Sequence, residues 1–171
     1  MLEAYRQHVT ERAALGIPPL PLNVKQVVDL IEIIKNPPAG EGDFLVHLIS
    51  HRVPAGVDNS AKVKASYLAA VAHGTEKTPL LSREKATELL GTMLGGYNIS
   101  PMVELLDDTV VGVIAANGLK KTLLMFDQFH DVKDKADKGN VNHSASAQLC
   151  MTDLAFALPG FVCERALSFT S

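Results

Sequence analysis

The stretch Leu89–Leu106, LLGTMLGGYNISPMVELL, constrains the fold of this chain more than any other. An apolar run at helical spacing reaches Leu94 and meets Gly95–Gly96, a pair able to take positive φ at no steric cost. Ser100 then stands where a new helix would be capped. Pro101 suits that helix's first turn, where a missing amide donor does no harm. The pattern predicts a helix, a corner and a second helix, with Tyr97 and Asn98 at the bend. Gly95, Gly96, Tyr97 and Asn98 are therefore the candidate corner and interface residues. The corner itself carries no catalytic group.

The rest of the chain repeats the plan. Leu2 to Leu15 reads as a helix with Leu2, Tyr5, Val9, Arg12 and Ala13 on one side, stopped by Gly16 and the proline-stiffened link IPPLPL. Asn23 is placed to cap VKQVVDLIEIIK, where Val24, Val27, Val28, Ile31 and Ile34 recur at the spacing of a buried helical stripe. Asn36–Pro37–Pro38 ends it. Asp43 to His51 predicts a third helix with Phe44, Leu45, Leu48 and Ile49 inward, followed by the turn VPAGVD. Asp58 then caps a helix carrying Val63, Tyr67, Ala70 and Val71 that stops at Gly74, and Ala65, Ala69 and Ala70 let a neighbour approach closely. Ser82 caps the helix of the central stretch, with Glu84 at the positive end of its dipole. Thr109 to Ala116, though β-branched, lacks strict alternation and reads as a short buried helix ended by Asn117–Gly118. A longer helix follows from Leu119 to about Lys138, with Leu123, Phe126 and Phe129 inward. No segment finds a strand partner. The expected fold is all-α, a right-handed array of antiparallel helix pairs like HEAT repeats, spanning residues 1–140.

Composition excludes several function classes. A net charge of −3 and a pI near 6.0 leave no basic footprint for nucleic acid. No run approaches the roughly 18 apolar residues of a membrane span, and MLEAYRQHVTER lacks the apolar centre of a secretory signal. Cys150 and Cys163 are far from a CxxC spacing, which fits reduced thiols in a cytoplasmic chain.

Three clusters could carry chemistry. His47 and His51 share a helix face and could reach one metal ion, but Leu48 stands where a zinc-protease motif needs glutamate. Asp127, His130 and Asp131 could bind a divalent ion or move protons, or simply pair locally at a charged helix end. Asp107–Asp108 could be a carboxylate pair, with helix capping as the simpler reading. No phosphate loop, nucleophile elbow or dinucleotide fingerprint is present. The residues alone indicate a helical interaction module.

Five segments together resemble one family: MLEAYRQHVTERAALGIPPLPL, IIKNPPAGE, HRVPAGVD, LLGTMLGGYNISPMVELLDD and KKTLLMFDQFHDV are similar, in order, to the N-terminal domain of bacterial aconitate hydratase B. The resemblance runs from Met1 to about Asn140 and implies a HEAT-like module ahead of catalytic domains. It implies an enzyme that interconverts citrate and isocitrate through cis-aconitate in the tricarboxylic acid cycle, some members also hydrating 2-methyl-cis-aconitate. The implied cofactor is a 4Fe–4S cluster held by three cysteines, two of them in a CxxC pair. The open fourth iron is the Lewis acid, a serine the base and several arginines the carboxylate clamps. None of those residues falls in the matching segments, so the chain is expected to be noncatalytic by itself and to hold no cofactor. Its implied partners are the catalytic domains, with homodimer formation as a further association. The corner residues then serve packing or substrate access.

From Val141 onward the resemblance stops, and no tryptophan-bearing helix follows. Residues 141–171 read as a divergent tail with one short helix near Thr152 to Leu158, as truncation or a frameshift would leave. A stand-alone protein-binding adaptor and an RNA-associated regulatory fragment are the alternative functions.

Overall fold

The computed structural model describes residues 1–122 and 128–137. All regular elements among them are helical, and no strand occurs there. The expected all-α class holds at that level. Helix α1 spans Leu2–Ala14, α2 Val24–Lys35, α3 Gly42–His51 and α4 Asn59–His73. Helix α5 spans Arg83–Gly91 and α6 Ile99–Glu104, continued by a 3-10 turn over Leu105–Asp107. Helices α7, Gly112–Leu119, and α8, Phe129–Asp137, complete the described chain.

Capping set most starts where the sequence placed them. Asn23 Oδ1 accepts from Gln26 N at 2.9 Å while Gln26 Oε1 accepts from Asn23 N at 3.0 Å, a reciprocal box that fixes the start of α2. Asp58 accepts from Ser60 N at 2.7 Å at the head of α4, and Ser82 Oγ from Lys85 N at 3.2 Å at the head of α5. Helix α4 ends in the left-handed Gly74, φ 80°.

Packing runs from neighbour to neighbour. Helix α2 lies against α3 and α4, α4 against α5, α5 against α7, and α7 against α6. The core they enclose includes Leu30, Ile34, Leu45, Leu48, Leu68, Leu90, Met102 and Leu119, all fully buried. On α2 the buried stripe is Val27, Leu30, Ile31 and Ile34, whereas Val24 and Val28 are exposed. Val28 lies about 100° around the helix from Val27, outside the arc that α3 and α4 cover.

Three boundaries differ from the sequence reading. Helix α5 ends at Gly91 and does not reach Leu94: Thr92 N and Met93 N turn to the i−3 carbonyls of Leu89 and Leu90, and Asn98 Nδ2 donates to Leu90 O and Met93 O from the side. Ser100 is exposed and caps nothing; Asn98 holds the N-cap position of α6, and its side chain points back to α5. Helix α7 starts at Gly112 rather than Thr109, since Asp108 Oδ1 accepts from Val110 N and Val111 N and folds residues 109–111 into a turn.

Gly118 proves to be a contact rather than a stop. It lies within α7, where a Cβ would come 3.0 Å from Gly91 Cα and 2.3 Å from Met102 Cε. The helix expected from Leu119 is interrupted: α7 ends there and α8 begins at Phe129. The packing assigned to Leu123, Phe126 and Phe129 lies outside what is described, as do residues 141–171 with Cys150 and Cys163.

The turn at Gly56 and the corner at Gly95 meet backbone to backbone. Gly56 N donates to Leu94 O at 3.1 Å, and a Cβ on Gly95 would lie 2.3 Å from the Gly56 carbonyl carbon. Gly95 and Gly96 both have positive φ, 99° and 94°, as the sequence requires of the corner. Only Gly95 is also sterically confined; a Cβ on Gly96 meets nothing within 4 Å. Gly95→Ala should therefore cost about 2 kcal/mol or more, and Gly96→Ala about 1 kcal/mol from backbone strain alone. Urea unfolding of the two variants checks the ranking. Equal losses would mean that the contact with Gly56 contributes nothing.

Candidate functional site

The four corner residues do converge. Asn98 is completely buried, and its Nδ2 donates to Leu90 O at 2.9 Å and Met93 O at 3.3 Å, with Met102 Sδ at 3.7 Å. Its Oδ1 is buried without a partner among the described residues. Tyr97 Oη donates to Val57 O at 3.2 Å, a second tie between the two corners. The outer side of this junction is apolar, with Val57 77 % and Leu94 63 % exposed. Two glycines, an amide and a phenol hydrogen-bonded to backbone offer no nucleophile and no acid–base pair. The site can pack and bind; it has no group that reacts.

The other candidate clusters stay local. The rings of His47 and His51 lie 5.1 Å apart on the exposed side of α3. Among the described residues no three histidine, cysteine or carboxylate side chains gather where a metal ion could sit. Asp127 lies outside the described residues, while His130 and Asp131 are exposed at the start of α8. Asp131 borders a groove of about 340 Å³ with Ser100, Glu104 and Asp134. Asp107 and Asp108 do not form a carboxylate pair: Asp107 pairs with Lys135 and Asp108 with Arg83.

Arg83 joins three elements. Its Nε donates to Ala72 O near the end of α4 at 2.7 Å, while its Nη2 holds Asp108 ahead of α7. The Arg83 hydrogen bond, with those from Val110 N and Val111 N, keeps the Asp108 carboxyl below its usual range. That contribution is present above the ordinary carboxylate pKa and is lost as pH falls through the lowered one.

Lys64 is the residue that sequence reasoning missed. It is 5 % exposed on α4, and its Nζ donates to Ser50 O at 3.3 Å near the C-terminal end of α3. No carboxylate reaches it among the described residues. Burial pushes its amine down to about 8. A sequence signal existed: Ala61, Lys64, Ala65, Leu68, Val71 and Ala72 share the inward stripe of α4. A lysine on such a stripe either snorkels outward or stays inside on backbone carbonyls, here at the negative end of a helix dipole.

Short helices docked through glycine contacts around an apolar corner make the described part of the chain an all-helical module. The chain belongs to the family described as the aconitate B N-terminal domain, which it matches over residues 4–149. It is 59 % identical over 140 residues to the aconitate hydratase B of Escherichia coli (strain K12), and equally so to that of Pseudomonas aeruginosa. To the Synechocystis enzyme of the same name it is 52 % identical over 139 residues. Those alignments take in 82 %, 82 % and 80 % of this chain but only 16 % of each relative.

Two substitutions test the buried polar groups. Asn98→Ala takes the side-chain donor from Met93 O and leaves Leu90 O only the Met93 N–H, and should cost about 2–3 kcal/mol. Asn98→Asp should cost more at neutral pH, because an anion then faces those same oxygens. Chemical denaturation ranks the two, and an Asn98→Asp variant as stable as the Asn98→Ala variant would contradict the donor role. For Lys64, the unfolded amine titrates near 10.5 and the folded one near 8, so the unfolded state binds more protons between those values. Stability from this group therefore rises with pH across that window, and its full penalty is present below it. Lys64→Met should stabilise the domain at pH 7 by about 1–2 kcal/mol, an advantage that shrinks as pH rises from 8 to 10. Paired melting curves of the two chains across that range read the difference.

Proposed function

We propose that this chain is the N-terminal helical module of an aconitate hydratase B, which interconverts citrate and isocitrate through cis-aconitate in the tricarboxylic acid cycle. In some members the same enzyme would hydrate 2-methyl-cis-aconitate. The observation that carries the reading is the 59 % identity over 140 residues to enzymes of that name, of which the chain spans 16 %. The neighbour-to-neighbour packing of α2, α4, α5 and α7 supports a HEAT-like, right-handed array of antiparallel pairs. The module is noncatalytic alone and resides in the cytoplasm with its enzyme. Association into homodimers belongs to the same reading.

The parent's 4Fe–4S cluster would supply an open iron to bind substrate oxygens. The described part of this chain does not fit that group: it holds no cysteine, and no three ligating side chains converge. In this reading the cluster, the base and the carboxylate clamps belong to the catalytic domains. This chain contributes an apolar corner at Val57 and Leu94 for those domains to cover, backed by the rigid contact of Gly56 with Gly95. Held there, the module borders the substrate's approach without touching the chemistry.

Co-purification with separately expressed catalytic domains of an aconitate hydratase B tests this. The pair should associate, and Leu94→Asp should weaken the association at least ten-fold while the chain stays folded. The chain alone, incubated anaerobically with iron and sulfide, should show no cluster absorption and no citrate turnover. Turnover by the chain alone would overturn the noncatalytic reading. Absence of binding would leave an independent adaptor as the better account.

A further inference from the structure

A second site lies far from the corner in sequence, between α1, α3 and the proline-rich link. It is a pocket of about 190 Å³, walled by Val9, Phe44 and Leu48 and closed by Tyr5, His47 and Arg52. Its polar groups are already fixed. Arg52 Nε donates to Tyr5 Oη at 2.7 Å, and Arg52 Nη2 donates to Pro19 O at 2.5 Å and more weakly to Leu20 O at 3.5 Å. These bonds hold the guanidinium in one orientation and leave its Nη1 with no acceptor among the described residues.

Tyr5 is 3 % exposed, and its hydroxyl accepts from Arg52 while its own hydrogen finds no acceptor among the described residues. Two donors joined through one hydrogen bond thus stand without acceptors beside an apolar wall. No carboxylate borders the pocket. The contrast with the neighbouring arginine is direct: Arg6, stacked 4.7 Å over the Phe44 ring, is paired with both Glu3 and Glu41. Arg52 has no such partner among the described residues, although it is only half exposed to water. A cation in that position is best matched by an anion brought in from outside.

We propose that this pocket binds a small monocarboxylate with a short apolar tail. The carboxylate accepts from Arg52 Nη1 and the Tyr5 hydroxyl, and the tail lies against Val9, Phe44 and Leu48. The volume decides the size, being below the roughly 300–1,000 Å³ of sites for drug-sized ligands. The apolar wall decides against a bare inorganic anion, which would gain nothing from it. The site rests on none of the residues of the corner and does not depend on the enzyme assignment.

The test is a titration of the full chain with sodium butanoate at constant ionic strength, followed by NMR of the Arg52 Nε–H and His47 ring signals. Saturable shifts in the millimolar range are expected for butanoate, weaker ones for acetate, and none beyond the salt baseline for chloride or inorganic phosphate. Tyr5→Phe keeps the ring and removes one donor, and should weaken butanoate about ten-fold. Val9→Asp, on the half-buried face of α1, supplies a carboxylate in place and should abolish the response. This second variant keeps the test decisive if loss of the Tyr5 hydroxyl unfolds the chain. No saturation by butanoate, equal shifts with phosphate, or a butanoate response unaltered in the Val9→Asp chain would each overturn the site.

Discussion

The contact between Gly56 and Gly95 is the constraint on which the corner depends. Two turns far apart in the chain approach until their backbones touch, and a single Gly56 N to Leu94 O bond seals them. Closeness of this kind needs an absent side chain on one partner and a positive φ on the other, and both turns supply glycine. Leu94 lies beyond the end of α5, and its carbonyl accepts from Gly56 N. Asn98 Nδ2 donates to Met93 O and adds a second bond at Leu90 O, which already accepts from Met93 N, so the side chain is buried and does not act as an outward cap.

Elsewhere, long basic side chains tie the helices together. Arg83 joins the end of α4 to the start of α7 through Asp108, and Arg52 joins the proline link to Tyr5 of α1. Lys64 reaches the last turn of α3 with no counter-charge within reach among the described residues. In each case a backbone carbonyl at a helix end or in a link accepts from a cation, which satisfies a group that the helix itself leaves orphaned. Helix ends in an array of short helices are numerous, so such cations do much of the satisfying. The cost is concentrated at Lys64, whose amine is held in a poorly hydrated place.

Among the described residues no three histidine, cysteine or carboxylate side chains gather where a metal ion could sit. The histidine pair on α3 keeps its shared face but gains no third ligand among the described residues, because that face is turned to solvent. The corner residues are neighbours in the chain, whereas Gly56 and Val57, which meet them across the junction, come from a turn some forty residues earlier. Local spacing cannot register a contact between two turns.

Helix identity was written in the sequence because each cap acts within four residues of itself. Asn23, Asp58 and Ser82 could satisfy their own first-turn amides whatever surrounded them, and Gly74 could end α4 by its own φ. The family too was legible, since NPPAGE, RVPAGVD and LLGTMLGGYNI are short strings that need no fold to be compared. Tertiary structure decided the rest. Gly118 reads as a helix stop when only its own backbone is considered, and becomes a helix crossing once Gly91 lies against it. Asn98 and Ser100 compete for the same cap by local rules, and the burial of α5's carbonyls, not their own propensities, settles which side chain turns inward. Lys64 and Arg52 have the same side chains in any helix, but their unpaired donors exist only because particular neighbours exclude water from one and carboxylates from the other.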